Sequence, residues 1–211
     1  MREIIRAIRL TLVLWGITAI IYPLILLVIG QIAFNSQANG SLITNQGVVV
    51  GSALIGQPFS SERYFWGRPS TTNYSSFATE NYDPTKGENV SQRTGVSGAS
   101  NLAPSNSGLL KRGNEKDGFQ GVQVELDRLN KAGIKPTADL VYTSGSSLDP
   151  HISVEAARSQ IQRIATVRSL NINQVEMLVS KNTEGRFIGI FGEPGVNVLQ
   201  LNLALDRLQY T

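Results

Sequence analysis

The sequence predicts a single N-terminal transmembrane helix followed by a mixed α/β extracytoplasmic domain. Three observations carry this. No charged side chain occurs between Arg9 and Glu62. Inside that gap, Leu10 to Gly30 reads LTLVLWGITAIIYPLILLVIG, with polar side-chain groups only on Thr11, Thr18 and Tyr22. Beyond the gap, β-branched runs and helical periods both recur along the chain.

The apolar run comes first. At about 1.5 Å per residue a helix of this length covers roughly 30 Å, the depth of a bilayer core. Pro23 should kink or loosen it, which membrane helices tolerate. Arg2, Arg6 and Arg9 precede the run, and the next Lys or Arg is Arg63. By the positive-inside rule, 1–9 is then the cytoplasmic N-terminus, 10–32 the membrane helix and 33–211 the outer domain of a single-pass membrane protein, in a bacterial periplasm or its equivalent. A cleaved signal peptide is the rival reading, with Ser36-Gln37-Ala38 as its small-x-small site. Signal cores run about 7–15 residues, and this run is longer. Gly16, Ala19, Pro23, Leu26 and Gly30 fall at spacings of three and four, a seam of mostly small residues suited to close helix packing.

The outer domain follows element by element. Ser41 to Thr44 and Val48 to Ile55 flank Asn45-Gln46-Gly47, a hairpin pattern. Tyr64-Phe65-Trp66 is a short strand candidate. From Gly67 to about Ser107 no period is visible, and Tyr74, Phe77 and Tyr82 argue that part of this stretch is pinned. Val122, Leu126 and Leu129 mark a helix ending near Gly133. Asp139 to Thr143 is a strand candidate. Ser153 caps a helix running to about Leu170. Asn173-x-x-Glu176 reads as a capping box for the next helix. Phe187 to Phe191 reads as a strand that stops at Gly192-Glu193-Pro194-Gly195. Asn197-x-x-Gln200 opens a last helix with Val198, Leu201, Leu205 and Leu208 on its apolar face.

Composition removes much chemistry. The 211 residues include no Cys and one His, which excludes disulfides, thiolate metal sites and a Cys nucleophile, and argues against a His-based zinc centre. A formal net charge of +3 leaves no basic footprint for nucleic acid. There is no phosphate-binding Gly-x-x-x-x-Gly-Lys-Ser/Thr loop. Asp83-Pro84-Thr85-Lys86-Gly87 reads as a turn. Ser146, Asp149 and His151 lie within one short segment, TSGSSLDPHIS, where a triad rarely converges, and the Gly-x-Ser-x-Gly elbow is missing. An anchored envelope hydrolase using Ser146 and His151 stays as an alternative, as does a secreted binding module freed by cleavage. Ser144, Gly145 and Ser146 are weak anion or nucleotide candidates through their backbone N–H groups.

Five segments in order resemble one family. They are GSALIGQPF from Gly51, YFWGRPS from Tyr64, SGASNLAPSN from Ser97, DLVYTSGSSLDPHIS from Asp139 and GEPGVNVLQLNLALD from Gly192. The chain resembles the C subunits (KdpC) of bacterial high-affinity potassium-transporting P-type ATPases. Gly195 stands where that family's pattern has Arg. The resemblance implies a non-catalytic accessory subunit. Its partners would be a channel-like pore subunit and the P-type ATPase subunit that hydrolyses ATP. It would stabilise their assembly and raise ATP affinity as a catalytic chaperone. ATP and potassium would be handled by the complex, with no cofactor, metal or catalytic residue on this chain. Direct ATP contact conflicts with an outer domain, since ATP is cytoplasmic. Candidate partner-contact or shaping motifs are Gly67-Arg68-Pro69, the loop with Asp149, Pro150 and His151, and the loop with Gly192, Glu193, Pro194 and Asn197.

Overall fold

The computed structural model describes residues 1–76, 96–112 and 118–208. Phe77, Tyr82 and the Asp83 to Gly87 turn lie outside the described residues. The chain divides into two compact units, Met1–Ser52 and Ala53–Thr211.

The first unit is built on α1 (Arg2–Ala33), long and apolar enough to cross a membrane. Its middle turn, Ile17–Ile21, is a π-helix, with the Tyr22 N–H bonded back to the Ile17 carbonyl. Pro23 explains this turn. It offers no N–H, and its ring crowds the carbonyl of the preceding turn, so the helix widens there instead of breaking. The expected seam therefore does not run along an unbroken 3.6-residue period. Gly16 and Ala19 flank or enter the π turn, and Leu26 and Gly30 lie beyond it. Gly30 is also partly covered from within: a β-carbon there would lie 3.7 Å from the Ala38 β-carbon. Ala38 belongs to α2 (Asn35–Ala38).

The hairpin forms as β1 (Leu42–Asn45) and β2 (Val48–Ser52), antiparallel, with a bulge between Ile43 and Thr44. Gln46 (φ 50°) and Gly47 (φ 79°) both sit in the left-handed region that a two-residue hairpin turn needs. The second strand ends at Ser52, short of the expected Ile55.

The second unit packs helices around a three-stranded antiparallel sheet. After a short 3-10 turn at Asn73–Ser75, its described elements are α3 (Ser107–Leu110), α4 (Val122–Lys131) and α5 (Ala138–Val141). Then come β3 (His151–Ser153), α6 (Val154–Ser159), α7 (Ile161–Arg168) and α8 (Ile172–Lys181). The chain closes with β4 (Thr183–Glu184), β5 (Gly195–Asn197) and α9 (Val198–Arg207). The sheet order is β3-β5-β4, with Ile152 opposite Val196 and Glu184 opposite Gly195. Ile152, Ile164, Val175, Val179, Leu201 and Leu205 form the fully buried centre.

Several helix ends follow the sequence. The Ser153 hydroxyl accepts from the Ala156 N–H at 3.0 Å, and the Asn197 side chain from the Gln200 N–H at 3.1 Å. Four expectations are corrected. Asp139 to Thr143 is not a strand: it holds the helical turn α5, because Leu140 and Val141 are both buried and so break alternation. The helix after Ser153 divides at Gln160 into α6 and α7. The capping box is Asn171-x-x-Gln174, two residues earlier than expected, while Glu176 instead pairs with Arg158 at 2.9 Å. Phe187 to Phe191 is a tight hairpin with one bridge between its end residues, not a strand.

The fifth correction concerns Tyr64-Phe65-Trp66. Phe65 and Trp66 are buried and Tyr64 half-buried, but among the described residues the segment belongs to no sheet. Its backbone is paired by side chains instead. The Asn202 amide accepts from the Phe65 N–H (2.9 Å) and donates to the Phe65 carbonyl (3.0 Å). The Gln160 amide does the same for Trp66, at 2.8 and 3.0 Å. Arg163 donates to the Glu62 and Tyr64 carbonyls, and Arg168 to that of Arg63. The guanidinium groups of Arg128 and Arg163 lie 4.6 and 4.3 Å from the Trp66 ring centre.

Candidate functional site

The three candidate motifs meet at one cleft. Arg68 comes from the segment after Trp66, Asp149 and His151 from the approach to β3, and Glu193, Pro194 and Gly195 from the approach to β5. All six line an open hollow of about 490 Å³ together with Thr137 and Glu155.

Its centre is His151. The ring nitrogen Nδ1 lies 3.4 Å from Asp149 Oδ1, and Nε2 lies 3.6 Å from Glu184 Oε2. Glu184 is on β4 and His151 on β3, with β5 between them. The two reach one another because the central strand carries Gly195 at this level. A β-carbon at 195 would lie 3.6 Å from the His151 β-carbon, an ordinary contact, but a longer side chain would fill the space between the ring and the carboxylate. Hydrogen bonding to Asp149 raises the His151 pKa against the opposing effect of burial, and Glu184 adds to the rise. Burial alone would push the Asp149 carboxyl up. Hydrogen bonds from the His151 ring and backbone outweigh it and, with the Arg68 charge, hold Asp149 below its ordinary value. Arg68 Nη1 is 3.4 Å from Asp149 Oδ2.

The other motif residues serve the frame. The Pro150 carbonyl accepts from the Val198 N–H at 3.0 Å. Asn197 is buried, and its amide donates to the Ala53 carbonyl at 2.8 Å. Gly192 has φ 82°, and Glu193 bonds Arg186 through both carboxylate oxygens at 2.9 and 3.0 Å. Gly67 gives room to Tyr74: a β-carbon there would come within 2.9 Å of its hydroxyl oxygen. That hydroxyl donates to the Arg68 carbonyl.

Ser144, Gly145 and Ser146 do not open a helix. Their loop runs into β3 and docks on two neighbouring segments. The Ser146 carbonyl accepts from the Gly98 N–H (3.0 Å) and the Ser97 hydroxyl (3.1 Å). Ser147, buried with φ 57°, accepts from the Thr71 N–H at 3.2 Å. Ser146 Oγ accepts from the Leu148 N–H at 3.1 Å, and among the described residues it shares no hydrogen bond with His151. The imidazole's two nitrogens face Asp149 and Glu184, not a nucleophile. Among the described residues no group of three or more His, Asp or Glu is placed to hold a metal ion.

One feature was not legible as a site. Phe187, Ile188, Ile190 and Phe191 are between 63% and 72% exposed. The Phe187 N–H bonds the Phe191 carbonyl at 2.8 Å, and the Phe191 N–H bonds the Phe187 carbonyl at 3.0 Å. Ile188 (φ 54°) and Gly189 (φ 74°) make the tip. A β-branched residue in the left-handed region is strained, so this shape is held at a cost.

Comparison with known proteins decides the family. The profile described as KdpC, K+-transporting ATPase c chain, matches residues 4–207. The chain belongs to the KdpC family. It is 64% identical to the potassium-transporting ATPase KdpC subunit of Microcystis aeruginosa, over 100% of this chain and 98% of that one. It is 58% identical to KdpC subunit 1 of a Nostoc species, over 100% and 98%, and 46% identical to the KdpC subunit of Gloeobacter violaceus, over 99% and 98%. A chain of this family is an accessory subunit of the potassium-transporting ATPase complex, so it has partner subunits.

Proposed function

We propose that this chain is the non-catalytic assembly subunit of an ATP-driven potassium uptake complex. In this reading α1 crosses the inner membrane with its N-terminus in the cytoplasm, because Arg2, Arg6 and Arg9 precede its apolar run and the next Lys or Arg after it is Arg63. The second unit then stands on the outer side. It joins a channel-like pore subunit to a P-type ATPase subunit. Any gain in ATP affinity travels through α1, since the outer domain does not meet cytoplasmic ATP.

The observation that supports this best is the Phe187–Phe191 hairpin. The charged and amide side chains of the motif residues make hydrogen bonds or ion pairs within the chain, as structural residues do. The hairpin instead offers four large apolar side chains to its surroundings, more than a lone soluble domain usually exposes at one point. Its Arg186–Glu193 pair neutralises the stem, so nothing favours an anionic lipid surface. An apolar surface on a partner subunit of the same ATPase fits it.

The test is to tag the C-terminus, extract the complex in mild detergent and identify the recovered chains. Recovery of a multi-helix pore-like chain and a P-type ATPase, with potassium-stimulated ATP hydrolysis, is expected. Recovery of the chain alone, or of a shortened soluble form, overturns the proposal.

A further inference from the structure

The apolar hairpin is held to its unit at its root. We propose that the contact between His151 and Glu184 is a pH-responsive tie at that root. A charged ring keeps the hairpin in its docking orientation, and a neutral ring lets it go. The inference rests on the docking role proposed for Phe187 to Phe191.

Attachment comes first. Among the described residues, every hydrogen bond and ion pair of Arg186 to Glu193 stays inside that stretch. Arg186 pairs with Glu193, and Phe187 and Phe191 bond one another's backbone. The Gly189 N–H bonds the Arg186 carbonyl, and the Ile190 N–H that of Phe187. The four large apolar side chains are all exposed, so they do not anchor the stretch in the core. What carries it is the pair of strand ends beside it. Glu184 is opposite Gly195, the last ladder pair before the chain leaves the sheet. Strand β4 is two residues long and lies at the sheet edge. So short an edge opens easily, because few contacts hold it.

The tie crosses the sheet. His151 is on β3 and Glu184 on β4, and the ring reaches the carboxylate over Gly195 of the central strand. Nε2 is 3.6 Å from Glu184 Oε2, and Nδ1 is 3.4 Å from Asp149 Oδ1. An imidazolium donates from both nitrogens, so it holds both carboxylates at once. A neutral ring has one N–H. The shorter contact, to Asp149, keeps it on Nδ1. Nε2 then turns a lone pair toward the Glu184 carboxylate, and the attraction that held β4 is gone.

The other charged groups around the ring are engaged elsewhere. Arg68 faces Asp149, Glu155 pairs with Lys135 at 3.2 Å, and Glu193 pairs with Arg186. Asp139 accepts from the Ser153 N–H at 2.6 Å. At this level β5 brings only Gly195. The ring therefore answers to Asp149 and Glu184, and both raise its pKa. The tie is complete below the ordinary 6.5 and is lost as pH climbs through the folded value.

The chain has no cysteine, so I190C can carry a single nitroxide at the tip. Spectra of the full chain in detergent are compared at about pH 5.5 and about pH 8.5, on either side of the histidine range. Slower tip motion is expected at the lower pH. E184Q keeps the size of an exposed side chain and should remove most of the difference. H151Q should give the faster spectrum at both values. R186Q cuts only the internal stem pair and should keep the difference. In the whole complex, purified on a tag without histidine, the same rise in pH should lower recovery of the partner subunits about two- to five-fold, the scale of an exposed ion pair. E184Q should flatten that step as well. Equal tip motion at both pH values overturns the proposal, and so does a difference that survives E184Q. Partner recovery that ignores pH while the tip responds overturns the tie's role in docking. Phe187→Ser with Phe191→Ser separates this from the reading beneath it. Normal recovery of the partners with that variant removes the docking role itself. Lost recovery with a tip that ignores pH removes only the tie.

Discussion

Gln160 pairs both backbone groups of Trp66, its Oε1 accepting from the N–H at 2.8 Å and its Nε2 donating to the carbonyl at 3.0 Å. The amide thus does for one buried residue what a neighbouring strand does in a sheet. It also explains why the helix after Ser153 divides at Gln160: the side chain is turned inward and the backbone bends to aim it.

Replacing Gln160 by Leu should leave the Trp66 N–H and carbonyl buried and unpaired. Each such orphan costs about 1–3 kcal/mol. The expected loss is roughly 3 kcal/mol, or a fall in melting temperature of roughly 6–12 °C for a chain of this size. Thermal unfolding of the full chain in detergent, followed by near-ultraviolet circular dichroism, measures it. An unchanged melting temperature would mean that water reaches Trp66.

Gly56 and Tyr74 make a second close pair. A β-carbon at 56 would sit 2.4 Å from Tyr74 Cε1 and 2.7 Å from Cδ1. The ring is buried and its hydroxyl is bound to the Arg68 carbonyl. Gly56→Ala should therefore destabilise by about 1–3 kcal/mol through overpacking. The same substitution in a Tyr74→Ala background should cost far less. A double-mutant cycle on melting temperatures checks this, and equal costs in both backgrounds would place the strain elsewhere.

Local signals made the sequence legible, and distant ones did not. The long apolar helix, the Ser153 and Asn197 caps and the Gln46-Gly47 turn depend on residues within a few positions of one another, and all are found. Tyr64 to Trp66 looked like a strand because its residue types favour extended backbone. Its partners are side chains 94 and 137 positions away, which no local pattern announces. Phe187 to Phe191 misled for a different reason: an apolar run shows that burial is wanted, not whether this chain supplies it. At the cleft, each motif was readable as a turn. Their convergence on His151 depends on the strand order β3-β5-β4, and Glu184 gave no signal at all.

His151 is the only histidine, so its titration can be followed without overlap. Its midpoint should lie above the ordinary 6.5. Asp149→Asn should lower it most, because the Asp149 hydrogen bond is the largest cause, and Glu184→Gln should lower it less. The sign for stability follows. The raised histidine stabilises fully below pH 6.5 and loses that contribution as pH climbs through its folded value. The lowered Asp149 stabilises above its ordinary 3.8 and loses that contribution as pH falls through its folded value. The pair should contribute most between about pH 4 and 6.5. Imidazole resonances of the full chain, carrying a tag without histidine, report the midpoint. A midpoint at or below 6.5 would contradict the geometry.

The long apolar helix α1 gives an assembly test. Gly16→Leu with Ala19→Leu adds bulk just before and within the π turn while keeping the run apolar. Membrane insertion should be unchanged. If the small residues face another helix, recovery of the partner subunits should fall several-fold, since close approach is what small residues allow. Normal assembly of the double variant would show that this face meets lipid.

The sharpest distinction between folding and assembly lies in the apolar hairpin. Phe187 and Phe191 are 71% and 63% exposed, so they contribute little to the domain's own core. Phe187→Ser with Phe191→Ser should keep the melting temperature of the full chain, because exposed substitutions away from the core usually stay within about 0.5 kcal/mol. Within the complex the same two rings would be buried anchors, and losing such anchors costs on the order of 2 kcal/mol or more. Co-purification of the partner subunits should then drop at least tenfold at limiting concentration, that energy being about a factor of 30 in an equilibrium constant. Arg186→Gln, which cuts only the exposed stem pair with Glu193, should leave both readouts near normal. If the double Ser variant assembles as well as the unaltered chain, the hairpin is not the docking element. If it melts early instead, the exposed rings are packed within the chain, and the surface that joins this subunit to its partners lies elsewhere.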